Sequence, residues 1–163
     1  SALSVRRDVR HIWILTAILH IQGNASAVTP ALQSAQEKIF TQEQVHELYL
    51  SVNWISGNYP ERLYKALMNS STVLTVWDGE KLVGLTRVLD DTEMLAQIHY
   101  VLVHPDYQGQ GIAGKMIEHI KEKYKNFLYI EGMPEDKNNV PFYEKHGFSV
   151  MKNGAAIQIC NLT

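Results

Sequence analysis

A single cysteine, Cys160, leaves no partner for an internal disulfide and excludes every zinc pattern built on paired cysteines. The seven histidines include no His-x-x-x-His or HExxH pair, so no metal site is expected. An excess of positive charge is missing too. Fifteen Lys and Arg stand against seventeen Asp and Glu, a net charge of −2, so no nucleic-acid partner is expected. Long apolar runs are also absent. The stretch Ile12 to Ile21 contains Thr16 and His20 and falls short of the roughly 20 residues that span a bilayer. No membrane partner is expected, and the location is read as cytoplasmic. What remains is ordinary globular material: 45% hydrophobic and 20% charged residues in a chain of 163, enough for one packed core.

Arg6, Arg7 and Arg10 precede that apolar stretch, and Ala25-Ser26-Ala27 follows it. This order imitates a secretory leader, but the run is too short and too polar to favour that reading. Residues 1–27 are read instead as an N-terminal extension, an extra strand or helix packed on the domain or on a partner chain. A homodimer is therefore within the expectation. The domain itself is placed at residues 28–163.

Along that domain the apolar periods change several times. Thr41-Gln42-Glu43-Gln44 has the form of a capping box, and Val45, Leu48, Tyr49 and Val52 continue it at helical spacing. Pro60 opens a second helix with Leu63, Tyr64, Leu67 and Met68 on one side. Thr72–Trp77 and Lys81–Leu89 read as strands joined by an Asp78-Gly79 turn, and a third strand runs from Met94 to Val103. A loop then leads into a helix from Gly111 to Tyr124. Phe127 to Glu131 suits a buried strand parallel to the one before that helix. A short helix over 137–145 and strands over Ser149–Met151 and Ala155–Cys160 complete the chain. The expected fold is a mixed α/β sheet: an antiparallel meander followed by a parallel strand-loop-helix-strand crossover, with helices on both faces.

The informative stretch lies between the third strand and the next helix: His104-Pro105-Asp106-Tyr107-Gln108-Gly109-Gln110-Gly111-Ile112-Ala113-Gly114. Its glycines permit a tight turn with no side chains in the way. The amides of residues 109 to 114 then converge beside the positive end of a helix dipole, which suits a phosphate or diphosphate. Two readings of that anion compete. Gly109-x-Gly111-x-x-Gly114 formally meets the dinucleotide fingerprint, with Glu131 where a ribose-binding acid would stand. Five residues separate it from its strand, however, and too little chain follows for a doubly wound sheet.

The same residues resemble the GCN5-related N-acetyltransferase (GNAT) superfamily far better. Its cofactor signature, Gln/Arg-x-x-Gly-x-Gly/Ala, is met by Gln108-Gly109-Gln110-Gly111-Ile112-Ala113. Its second element, an aromatic-Tyr-x-x-x-Gly-Phe run, is met by Phe142-Tyr143-Glu144-Lys145-His146-Gly147-Phe148. The resemblance covers roughly residues 38–160 and implies a GNAT-like fold with a strand pair that splays apart. It further implies acetyl-CoA as co-substrate, its pantetheine arm bonding the backbone of Val101, Leu102 and Val103 and its diphosphate held by Gln108 to Gly114. Val101 would face the thioester oxygen. Tyr143 would lie beside the sulfur as the acid, and Asn138 would touch the cofactor. His99-x-x-x-x-His104 followed by Tyr107 looks like the arylalkylamine N-acetyltransferase branch, so His99, or a water relay, is the expected base. Gln97 cannot take a proton, and His104 is read as structural. Trp54, Tyr59 and Tyr64 are candidates for lining an acceptor pocket. The implied activity is direct acetyl transfer to a primary amine, with a catalytically weak CoA-binding regulatory module as the alternative.

Overall fold

The computed structural model describes residues 31–33 and 38–161. The expected extension, residues 1–27, lies outside them. Strand β1 (Ala31–Gln33) is followed by helices α1 (Gln42–Ser51) and α2 (Pro60–Met68), strands β2 (Thr72–Asp78), β3 (Lys81–Asp90) and β4 (Leu95–Val103), helix α3 (Ile112–Lys123), strand β5 (Tyr129–Gly132) and helix α4 (Val140–Lys145). The five strands form one mixed sheet in the order β1-β2-β3-β4-β5, antiparallel as far as β4 and parallel between β4 and β5.

Local chemistry accounts for the ends of these elements. At the start of α1 the Thr41 amide donates to Gln44 Oε1 at 2.8 Å, and the Gln44 amide donates to Thr41 Oγ1 at 3.2 Å. The capping box read from the sequence is therefore closed in both directions. Between β3 and β4 the Asp91 Oδ1 accepts from the amides of Glu93, Met94 and Leu95 at 3.0, 2.7 and 2.9 Å. Those backbone bonds, Leu95's first, hold the Asp91 carboxyl below the usual aspartate range. A depressed folded value means that the stabilisation is complete above the unfolded pKa and disappears as pH falls through the folded one. Asp91→Ala is thus expected to lower Tm at neutral pH and to have little effect in acid below both values, as thermal melts across pH will read.

The sheet separates two apolar layers. On one side Ile112, Met116, Ile117, Ile120 and Tyr124 of α3 pack on Val76, Val83, Val88, Ala96, Ile98 and Val103. On the other, Val45, Leu48 and Tyr49 of α1 and Leu63 and Leu67 of α2 pack on Val73, Leu85 and Leu102. Met116 is fully buried, with its sulfur 3.4 Å from the Thr86 hydroxyl. Met116→Ala is expected to cost about 2–5 kcal/mol in a urea titration, the range for truncating a buried side chain of this size.

Two expectations require correction. The parallel strand is shorter and starts later than Phe127, at Tyr129. Ser149–Met151 and Ala155–Cys160 do not form strands: the Gly154 amide closes a turn onto Met151 O at 3.2 Å, and no ladder follows. The alternation of Ile157 and Ile159 gave the appearance of a half-buried strand. Both side chains are 89% or more exposed, because alternation supplies a face but not the neighbouring strand that must cover it.

Candidate active site

The site begins as a fault in the sheet. Arg87 pairs with Tyr100 and Val88 with Ile98, so His99 has no partner and forms a one-residue bulge in β4. Neighbouring residues of a strand normally face opposite ways. Here the bulge turns His99 to the same side as Tyr100, and their ring centroids lie 4.2 Å apart. The partner strand on the other side also gives out. β5 pairs with Leu95 to Ile98 and ends at Gly132, whereas β4 runs on to Val103. The His104 amide donates to Val83 O at 2.8 Å, so by alternation the amides of Val101 and Val103 point away from β3, into the gap. A free strand edge of this kind accepts an extended ligand as an added strand.

At the end of that edge sits the glycine turn. Gly109 and Gly111 both have φ of +77°, the left-handed region that side chains enter only at a cost. Gly111 is the N-cap of α3, and no side chain caps it. Among the described residues, the backbone amides from Gly109 to Gly114 donate to no protein group; the first helical bond is Lys115 N to Gly111 O at 3.1 Å. A helix start with its donors unspent is an anion site, and the diphosphate of a CoA thioester fits it. Gly84 brings this helix end close to the sheet. A Cβ there would stand 3.2 Å from Val76 Cβ and 3.3 Å from Ile112 Cγ2.

Three side chains hold the turn in place. The Tyr107 hydroxyl donates to Asp78 Oδ2, tying the turn to the β2–β3 hairpin. Gln108 Nε2 donates to Val103 O at 3.0 Å, so this side chain steadies the strand end and is not extended toward an anion. His104 Nδ1 accepts from the Asp106 amide at 3.2 Å, the structural part expected of it. Gly114 has a different reason to be glycine. A Cβ there would lie 3.0 Å from His146 Cε1, so its lack of a side chain lets α4 approach α3.

Tyr143 projects from α4 between Phe142 and Phe148, at centroid distances of 5.1 and 5.7 Å. Burial raises its phenol above the ordinary tyrosine value, so it keeps its proton at neutral pH. It also lines a cleft of about 700 Å³ along β5 that includes Gln97, Glu131 and Gly132. That cleft continues toward Met151 and Ala156 and contains none of residues 108–114, so it is distinct from the anion turn. Asn138 is exposed, and its backbone N–H donates to Asp136 Oδ1 at 2.9 Å.

His99 is not alone. Arg87 Nη1 lies 3.0 Å from His99 Nδ1, Arg87 Nε donates to Ser70 Oγ at 2.7 Å, and the guanidinium stands 5.4 Å from the Tyr100 ring centroid. Partial burial lowers the His99 pKa first, Arg87 adds to that, and Glu135 opposes it. Behind Tyr100 lies an aromatic group: Trp54 at 5.4 Å, Tyr49 at 5.2 Å, and Ser56 Oγ at 3.0 Å from the Tyr100 hydroxyl. Of the three aromatics expected at an acceptor pocket, Trp54 is brought here. Tyr64 instead packs edge-on against Phe40, and Tyr59 lies under Arg62. Sequence reasoning passed over Arg87, although one guanidinium amid the apolar residues of Leu82–Leu89 was a visible signal.

A mixed sheet parted between two parallel strands, with an unspent helix start at the gap, defines an acyltransferase class of architecture. The pattern of the acetyltransferase (GNAT) family matches residues 31–148, and the chain belongs to that family. Among curated relatives, the N-acetyltransferase ycf52 of Pyropia yezoensis is 31% identical over 111 residues, 64% of this chain and 63% of its own length. A ycf52-like N-acetyltransferase of Prochlorococcus marinus is 28% identical over 68% of this chain and 64% of its own. The chain thus spans just under two thirds of these relatives. Among solved structures, a GNAT-family acetyltransferase from Streptococcus pneumoniae TIGR4 superposes with a TM-score of 0.67 at 27% identity, covering 82% of this chain and 97% of its own. A protein from meticillin-resistant Staphylococcus aureus gives 0.72 at 25% identity, covering 82% and 100%.

Proposed function

We propose that the protein transfers the acetyl group of acetyl-CoA directly to the primary amine of a small molecule. The observation that carries this reading is the run of undonated amides from Gly109 to Gly114, set at the end of a strand edge whose partner has stopped. Acetyl-CoA supplies the activated acyl group as a thioester. The chain's own residues do the rest. Gly109 to Gly114 hold the diphosphate, and Val101 to Val103 bond the extended arm. The Val101 amide points at the carbonyl oxygen, where it steadies negative charge as that charge develops.

Two protons have to move. An alkylammonium must lose one before it can attack, at a cost of roughly 4 kcal/mol at neutral pH. Water at the open end of the gap takes it, since with Nδ1 accepting from Arg87 the other His99 nitrogen carries the ring's one hydrogen and has no lone pair to offer. The departing sulfur gains one from Tyr143, whose raised pKa keeps it protonated until needed. The partly exposed rings of Trp54 and Tyr100, backed by the buried Tyr49, suit an acceptor with a flat apolar body, which supports an arylalkylamine as the first class to test. Thiol release from acetyl-CoA across a panel of amines tests the reading. Turnover with at least one amine is expected. Tight CoA binding with no turnover on any of them would favour a regulatory module instead.

A further inference from the structure

His99 and Arg87 meet in a way that constrains both. A guanidinium has five N–H donors, no lone pair to offer, and remains protonated at any ordinary pH. The ring nitrogen facing it must therefore accept. In a neutral imidazole the second nitrogen then carries the hydrogen, because the two ring nitrogens share a single proton. Nδ1 is the nitrogen at 3.0 Å from Arg87, so Nε2 is the N–H. The contact is built, not incidental. Arg87 is anchored through Nε to Ser70 and lies over Tyr100, and the bulge brings His99 round to the same face. No carboxylate lies within 4.0 Å of Arg87 among the described residues, so its donors are not diverted to an ion pair.

We infer that Arg87 is a positioning residue that fixes His99 as a hydrogen-bond donor toward the acceptor, and that His99 is not the general base. Protonating the ring would place a second N–H against the guanidinium, which the contact opposes. The acceptor amine accordingly carries an oxygen, as hydroxyl, carbonyl or carboxylate, within reach of the Nε2–H. The acceptor role rests on the acetyltransferase reading; the tautomer does not. The charged groups around the ring are Arg87 from β3 and Glu135 from the segment after β5; Tyr100 packs on the ring, and Ser70 holds the Arg87 guanidinium.

Long-range 1H–15N correlation of the imidazole in the full chain reads the tautomer without any turnover. The wild type is expected to show an unprotonated Nδ1 and an Nε2–H, held from neutral to mildly alkaline pH. A proton on Nδ1, or two averaged nitrogens, would overturn the inference even if the protein proves an acetyltransferase. In Arg87→Gln the lock should loosen and the His99 titration should move upward; an unchanged titration in a folded variant would also overturn it. Kinetics separate donor from base. His99→Gln retains a side-chain N–H but cannot take a proton, and is expected to keep kcat within about tenfold of wild type, whereas His99→Ala raises KM for the acceptor. Equal collapse of kcat in both variants would restore the base and contradict the proposal.

Discussion

Tyr143→Phe is expected to lower kcat by about 10²-fold or more, with acetyl-CoA affinity near that of wild type. The substitution removes one hydroxyl and keeps the ring between Phe142 and Phe148, so packing is nearly unchanged. Among the described residues that hydroxyl donates to no protein group, so no internal hydrogen bond is lost with it. What goes is the proton held ready for a leaving thiolate. The split between parameters decides the matter: a fall in kcat alone marks acid catalysis, whereas a rise in KM for acetyl-CoA alone marks a contact with the cofactor. Single-turnover kinetics with an amine in excess will read it.

Gly109→Val with Gly111→Val should have the largest effect on the cofactor. Each residue stands at φ +77°, where a branched side chain costs roughly 1–2 kcal/mol. The turn relieves that strain by changing shape, and the amides then no longer converge. A loss of about 2–4 kcal/mol corresponds to roughly 30- to 1,000-fold in acetyl-CoA affinity, measurable by calorimetry. Gly79→Val is the control. It carries the same kind of strain at φ +58° in the β2–β3 hairpin, with open space around it and outside the run of amides, so it should cost stability while weakening cofactor binding far less than the glycine pair.

Local rules read much of this molecule in advance. The capping box at Thr41, the β2–β3 hairpin and the apolar stripe from Ile112 to Tyr124 each need only neighbouring residues to be recognised; the first and last stand where they were expected, and the hairpin turn falls one residue later, at Gly79-Glu80, because Asp78 pairs with Lys81. The turn from Gln108 to Gly114 was legible for the same reason, since positive φ and an uncapped helix start leave a mark in glycine. Pairing was harder. Nothing in Leu95–Val103 announces that its register slips at His99, because a bulge is a property of two strands. The side chain of Gln108 was read with the anion and instead bonds Val103 O, and Gly114 serves contact with His146. The last two expected strands failed on the same point, for alternation in Ile157 and Ile159 says nothing of a neighbour. His99 is the instructive case. Its residue type suggested a base, and only the arrival of Arg87 from another strand changes which nitrogen is available.

The account depends most on backbone amides waiting for a diphosphate, and amide chemical shifts observe them one by one. In a titration of the 15N-labelled chain with coenzyme A, the amides of Gly109 to Gly114 are expected to move furthest, together with those of Val101 and Val103. Saturation with shifts confined to the cleft beside Met151 and Ala156, and none in the glycine turn, would contradict it.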